Sequence, residues 1–242
     1  MPMPCASPRL RCAPHIYRSN RAAGDHVVTL VAARWFGARL RRLTFRCESI
    51  DRSWYRGDRL LVRVDAHVRR YYTIARIDHR TREFDVLAVA HPHGVGGHWV
   101  RDIAPRDTTV VFGPKPDLDV RIDDARTLVL LGDETTLGLF EAVRSARRGG
   151  LVVSGAIEHH ADLTLGPEVG SALEGLDPLP RDPDAPGASL HAWVRSHMRP
   201  RPHTVFFVGG HGAAVRSLRL TLLGMGVRGS AIRSRAYWGR PG

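Results

Sequence analysis

The sequence predicts a β + α/β protein, an N-terminal antiparallel β-barrel followed by a C-terminal domain on a parallel sheet. Three observations predict it. Up to Pro114, short apolar and β-branched segments recur at near-regular spacing with turn residues between them, as in a small barrel or sandwich. After Pro114, continuous apolar runs alternate with helical patterns, as expected of parallel strands buried on both faces and joined by crossovers. The charge is also lopsided: residues 1–114 hold 20 Arg against 10 acids, whereas residues 115–242 hold 15 Arg and one Lys against 14 acids.

The first half reads as six strands, at 26–33, 39–47, 59–65, 70–78, 83–90 and 108–112, with one short helix around Trp99. In the second half, 127–131 (TLVLL) is a strand, followed by a helix from Thr135 to Arg148 with Leu139, Val143 and Ala146 on one side. A strand at 151–157 and a loop rich in Pro and Asp at 177–187 come next. A helix near 189–198 carries Leu190, Trp193, Val194 and Met198 at helical spacing. Strand 203–208, helix 213–224 and a last strand at 227–232 complete the reading. The division is a disordered basic tail at 1–24, a barrel at 25–114, a linker at 115–126 and an α/β domain at 127–242.

Composition bounds the function. A chain of 242 residues with 43% hydrophobic content has ample core for this arrangement. No apolar run approaches the roughly 18 residues of a membrane span. Met1 to Gly24 has arginines but no apolar h-region, so no secretory signal is read and the cytoplasm is expected. Cys5, Cys12 and Cys47 form neither a CxxC pair nor a four-cysteine set, which argues against an iron–sulfur cluster or structural zinc. Of the net charge of +12, the tail carries +4 and residues 25–114 carry +6. The barrel segment is therefore expected to meet an anion: nucleic acid, a nucleotide cofactor or an acidic small molecule. A solvated arginine face produces the same arithmetic.

Four constellations carry candidate chemistry. Arg70-Tyr71-Tyr72-Thr73 lies on the fourth strand; Arg70 and Tyr72 share a face there, and a guanidinium can hold a phosphate bidentately. His93-Gly94-Val95-Gly96-Gly97-His98-Trp99 is a glycine-rich turn entering a helix, where backbone amides and the helix N-terminus favour an anion. Gly132-Asp133-Glu134-Thr135-Thr136 follows a buried strand and opens a helix, the place where open α/β sheets bind nucleotides, although this segment carries no GxGxxG. Asp133 and Glu134 as helix N-terminal charges, with Thr135 as a cap, account for the same residues. Gly209-Gly210-His211-Gly212 follows another buried strand and stands to line one crevice with turn 132–135. Trp238 either closes that crevice or simply packs. His91, His93 and His98, and the pair His159-His160, lack carboxylate or cysteine partners at ligand spacing, so they read as surface or phosphate-loop histidines and no metal site is assigned. No G-x-S-x-G elbow is present, which removes a Ser/His/Asp hydrolase.

Taken together and in order, from about Val27 to Arg240, these segments resemble the siderophore-interacting proteins, FAD-dependent ferric-siderophore reductases of the ferredoxin–NADP reductase superfamily. Arg70 to Thr73 is similar to that family's R-x-Y-T flavin motif, and Gly94 to Trp99 to its G-P-A-x-x-W segment. Leu131 to Leu137 (LGDETTL) is similar to its GDETAL turn, and Gly209 to Arg219 to its G-E-x-x-A-V-R-x-L-R segment. Ala236-Tyr237-Trp238 with Arg240 is similar to its terminal Y-W-R-x-G. The sequence departs at Val95 and Gly96 for Pro-Ala, at Gly138 for a proline, at His211 for a glutamate, and at Ala75 for the arginine closing R-x-Y-T-x-R, with Arg76 following at once. The third strand also lacks a lysine that many relatives carry, for which Arg59 or Arg63 are the substitutes.

The resemblance implies FAD and NADPH or NADH as cofactors and an anionic ferric siderophore as substrate. It implies Arg70 facing the FAD pyrophosphate, Tyr72 along the flavin and Thr73 at its reactive edge as the catalytic residue. His91 and the turn Gly94, Gly96 and Gly97 join that cofactor set, and Gly132, Asp133, Glu134 and Thr135 with Gly209 and Gly210 bound a nicotinamide cleft. The chemistry implied is the conversion of a two-electron hydride donor into one-electron reduction of iron(III), which releases iron(II). A monomer is expected. One rival keeps the flavoenzyme but makes it a flavin reductase or biosynthetic electron donor. Another is a nucleic-acid-binding module, for which the +2 second half has no role, and a third is a flavin-free siderophore binder.

Overall fold

The computed structural model describes residues 24–120, 122, 125–146, 151–161, 163 and 173–239. The tail cysteines Cys5 and Cys12, and also Arg148 and Arg240, lie outside the described residues.

Seven strands form the first sheet: β1 (Asp25–Phe36), β2 (Leu40–Arg46), β3 (Arg59–Arg63), β4 (Arg69–Thr73), β5 (Arg76–Asp78), β6 (Glu83–Val89) and β7 (Thr108–Lys115). Every pairing is antiparallel, in the order β4-β3-β7-β1-β2-β6-β5. The expected single strand 70–78 is thus two. Ile74 donates its amide to the Asp58 carbonyl and Ala75 donates to Asp85, so the chain changes partners between these residues. The apolar pattern runs on through the break because both residues are fully buried. β4 and β5 stand at opposite ends of the strand order yet only two residues separate them, so the sheet must roll into a barrel. Trp54, Phe45, Phe84 and Leu60 fill it, and helix α1 (Val95–Asp102) lays Val100 and Trp99 over it.

The second sheet is parallel, β10-β9-β8-β11-β12, with β8 (Thr127–Asp133) at its centre. Leu128 and Leu130 pack with Leu139, Phe140 and Val143 of helix α2 (Leu137–Ser145). Val129 and Leu131 pack on the other face with helices α3 (Ala188–His197) and α4 (Gly212–Gly224). Burial on both faces is why TLVLL reads as an unbroken apolar run. β9 (Val152–His159) and β11 (Thr204–His211) flank β8.

Several boundaries differ from the sequence reading. β8 runs on through Gly132-Asp133 and β11 through Gly209-Gly210-His211, so these residues are strand ends and not turns. The helix expected from Thr135 begins as a 3-10 turn, Glu134–Thr136, before α2. Residues 177–180 are not loop but β10 (Asp177–Pro180), whose two prolines are tolerated because only one side of this edge strand pairs. The last strand is not 227–232 but β12 (Ile232–Trp238); Val227 and Ile232 are core residues that flank a 3-10 turn, and the strand itself is half-exposed and carries Arg233 and Arg235.

The two sheets meet through apolar and ionic contacts. Phe36, Leu40, Leu87 and Val89 pack against Leu137, Ile157 and Leu163. Beside them Arg42 of β2 donates to both oxygens of Glu141 at 3.1 and 3.0 Å and to Asp85 at 2.9 Å. Arg76 of β5 also pairs with Glu141, which is 4% exposed. The arginine that follows Ala75 therefore binds α2.

Among the described residues no helix is long and apolar enough to cross a membrane, and no group of three or more His, Cys, Asp or Glu is arranged to hold a metal ion.

Candidate functional site

β4 ends at the junction of the two sheets and becomes more buried along its length: Arg69, Arg70 and Tyr71 are exposed, Tyr72 half-buried and Thr73 buried. The Tyr72 ring rests on Trp99 at 5.7 Å between centroids and joins the barrel core, and burial pushes its phenol well above the ordinary tyrosine range. Thr73 sits at the inner end of the strand.

Turn 93–97 approaches the same place from β6. Gly94 has φ 91° and ψ 154°, a conformation open essentially to glycine alone, and a Cβ there would meet nothing within 4 Å. Gly96 lies against Arg70; a Cβ would stand 3.2 Å from the arginine Cγ. Gly97 serves packing, since a Cβ would fall 2.1 Å from the His91 carbonyl oxygen. The N-terminus of α1 has no acidic residue in its first turn and no side-chain cap. A guanidinium beside an uncapped helix start forms an anion cradle. Desolvation beside this turn lowers the His91 pKa, opposed by the charge of Asp133.

A cavity of about 560 Å³ joins these parts. Of the residues singled out in the sequence, Arg70, Tyr72, Thr73, His91, Gly94, Gly96, Gly97 and Thr135 line it. Gly138, at the start of α2, also lines it, and its position would bring a Cβ within 3.5 Å of the Thr73 carbonyl. Gly132, Asp133, Glu134, Gly209 and Gly210 lie behind the wall.

Those five residues form a closed packing unit. Asp133, 3% exposed, accepts at one oxygen from the amide of Thr135 at 3.0 Å and from its hydroxyl. The other oxygen accepts from the His211 amide at 3.0 Å and from the Trp238 indole Nε1 at 2.8 Å. The cap is thus Asp133 and not Thr135 as expected, because the Asp133 carboxylate accepts from the Thr135 amide, and the same carboxylate also ties down β11 and β12. A Cβ at Gly210 would lie 2.3 Å from Asp133, and one at Gly209 would lie 2.6 Å from Thr136. Glu134 pairs with Arg181, whose guanidinium stands 3.8 Å from Asp133 and 5.3 Å from the Trp238 ring centroid. Burial, reinforced by the charge of Asp133 and opposed by Arg181, pushes the Glu134 carboxyl up to about 7. The His211 ring tilts against Trp238 at 4.6 Å.

Tyr237 and Trp238 complete the cavity wall. β12 pairs Gly210 with Ala236 and His211 with Trp238, which leaves Tyr237 as an extra residue. Such a bulge re-aims side chains, and here it brings two consecutive residues to one cavity. The Tyr237 hydroxyl lies 2.9 Å from the Thr73 hydroxyl, joining β12 to β4. The sequence places Tyr237 in a motif without a task for it and leaves Trp238 between closing and packing. Nothing local signals the Tyr237–Thr73 pairing, since 164 residues separate the two. Arg181, in a stretch read as loop, carries no sequence signal at all.

A cleft with an anion cradle at one end and aromatic, hydroxyl-bearing walls at the other fits a dinucleotide that has a flat ring system, such as FAD. Comparisons with known proteins agree. Among curated proteins no sequence matches the chain significantly. The structure resembles a siderophore utilization protein from T. fusca at 21% identity, covering 91% of this chain and 94% of that one with TM-score 0.73. It resembles the siderophore-interacting protein SipS from Aeromonas hydrophila at 17% identity, covering 90% and 92% with TM-score 0.72. A ferredoxin reductase of a carbazole 1,9a-dioxygenase superposes at 17% identity, covering 89% of this chain and 70% of that one with TM-score 0.74. Residues 47–118 match the siderophore-interacting FAD-binding domain. The segment that holds β3, β4 and turn 93–97 thus matches the siderophore-interacting FAD-binding domain, within a chain whose fold is shared with these siderophore-interacting and ferredoxin reductase structures.

Proposed function

We propose that this chain is an FAD-dependent oxidoreductase that passes electrons from NADPH or NADH to a ferric siderophore and releases iron(II). The observation that carries the reading is the convergence of Arg70 and turn 94–97 with Thr73, Thr135 and Tyr237 on one cavity at the junction of barrel and parallel sheet. Residues 25–114 serve as the FAD-binding barrel, 115–126 as linker and 127–242 as the NAD(P)H-binding domain. When bound, FAD supplies the change from two-electron to one-electron transfer. Arg70 and the amides of turn 94–97 hold the pyrophosphate. Tyr72, packed on Trp99, offers the ring edge a fixed apolar surface, and Thr73 presents a hydroxyl to it. Gly132 to Thr135 with Gly209 and Gly210 shape the nicotinamide side, where the buried residues act by holding Thr135 and Trp238 in place.

The outer face beside the cavity supports an anionic acceptor. β3, β4 and β7 carry Arg59, Arg63, Arg69, Arg70 and Lys115 and no acidic residue. Arg63 stands directly opposite Arg69, a like-charge pair that lies over the Phe112 ring and that a bound anion would further relieve. Arg59 lies 4.2 Å over the ring of Tyr71, which also lines the cavity. Arg59 and Arg63 thus stand where a negatively charged iron chelate would dock.

The test is a visible spectrum of the purified protein, followed by anaerobic NADPH or NADH and then a ferric siderophore. Bleaching and then reoxidation with iron(II) release is expected. A protein that stays colourless with added FAD overturns the reading. The likeness to a ferredoxin reductase favours a second reading, an electron donor to another protein or to free flavin. Faster reduction of those acceptors than of ferric siderophore would select it.

A further inference from the structure

The Thr73–Tyr237 hydrogen bond can run in either direction, and the two directions leave different protons behind. Each hydroxyl has one proton to donate and lone pairs to accept with. Among the described residues, each of these two hydroxyls has the other as its hydrogen-bond partner. If Thr73 donated, the weaker donor of the two would be engaged, and the phenol proton of half-buried Tyr237 would have no acceptor among the described residues. If Tyr237 donates, the phenol is satisfied and the Thr73 proton remains uncommitted at the cavity wall. Burial also raises the Tyr237 pKa, so the phenol keeps the proton that it donates.

We propose that Tyr237 is a positioning residue that fixes the Thr73 hydroxyl as a hydrogen-bond donor into the cavity, aimed at a lone-pair atom of the bound flavin edge. The proposal rests on the FAD reading above for the identity of the acceptor, but not for the direction of the bond. The bulge in β12 makes it structurally possible. A regular strand would turn Tyr237 and Trp238 to opposite faces, whereas here Trp238 is anchored on Asp133 while Tyr237 reaches Thr73.

The test compares wild type, Tyr237→Phe, Thr73→Val, Thr73→Ser and the Phe/Val double variant by two measurements. In FAD-free protein, the Raman Fermi doublet of tyrosine, taken as the wild-type minus Tyr237→Phe difference, reports whether the phenol donates or accepts. A donor signature is expected, lost in Thr73→Val and kept in Thr73→Ser. Should Tyr237→Phe not fold, the change between wild type and Thr73→Val reads the same bond. FAD titration, followed by flavin fluorescence, is expected to show affinity about threefold to tenfold weaker in Tyr237→Phe. The same substitution should change nothing in the Thr73→Val background, because Tyr237 acts through Thr73. An acceptor signature overturns the proposal, and so does an equal Tyr237→Phe penalty with and without the Thr73 hydroxyl. A wild type that binds no FAD defeats the cofactor reading, while the Raman result still decides the direction of the bond.

Discussion

Two glycine turns look alike in the sequence and do opposite work in the structure. Segments 93–97 and 209–212 each lead from a strand into a helix and read as places where backbone amides meet an anion, although Gly209 to His211 are the end of β11 itself. At Gly94 the space a side chain would occupy is open, and the turn faces the cavity. At Gly210 that space is filled by the carboxylate of Asp133, and at Gly209 by Thr136. Gly97 admits the His91 carbonyl and Gly209 and Gly210 admit Thr136 and Asp133, whereas the space at Gly94 is left open. A glycine pattern therefore reports close approach, and only the surroundings say what approaches.

The comparison breaks most visibly at Gly210. Gly210→Ala forces a side chain onto φ 110° and into an Asp133 pinned by its hydrogen bonds. A loss of about 3 kcal/mol is expected. Calorimetry should show Tm lower by roughly 6–12 °C. In the open turn, Arg70→Ala should leave the melting of FAD-free protein within about 1 °C while weakening FAD binding about tenfold to a hundredfold, as loss of hydrogen bonds to a charged group does. An equal fall in stability would show that Arg70 is structural.

The closed turn also predicts a pH dependence. Glu134 is raised to about 7 from an ordinary value of 4.5, so between these values the native state holds more protons than the unfolded chain. Its contribution to stability is full below pH 4.5 and is lost as pH rises toward 7, by at most about 1.4 kcal/mol per pH unit. Tm measured against pH should decline over that window in wild type and flatten in Glu134→Gln; identical slopes would mean that the carboxyl is solvated. The smallest effect belongs to Gly96→Ala. Its Cβ would displace only the flexible stem of Arg70, so stability should hold within about 0.5 kcal/mol while FAD affinity falls about threefold.

Legibility followed burial. β8 was plain because both of its faces are covered, and the alternation of strands and helices after Pro114 was plain for the same reason. β12 is hard to read because an edge strand with Arg233 and Arg235 carries little apolar signal. The break at Ile74–Ala75 was hidden because a change of hydrogen-bond partner leaves no mark on hydrophobicity. In the site, Arg70, Thr73 and turn 94–97 could be read from residue chemistry, since each motif is contiguous. The Thr73–Tyr237 bond and the Glu134–Arg181 pair join distant parts of the chain, and no local pattern encodes them.

Glu141 has a consequence for how the two sheets can move. It is a desolvated carboxylate gripped by arginines from two barrel strands, and separating such a set strands a charge at about 3–5 kcal/mol. The seam is apolar and ionic together, and its ion pairs demand one alignment where apolar contact alone would not. Any movement that parted the two sheets would have to break this set, across the same junction where Thr73 meets Tyr237.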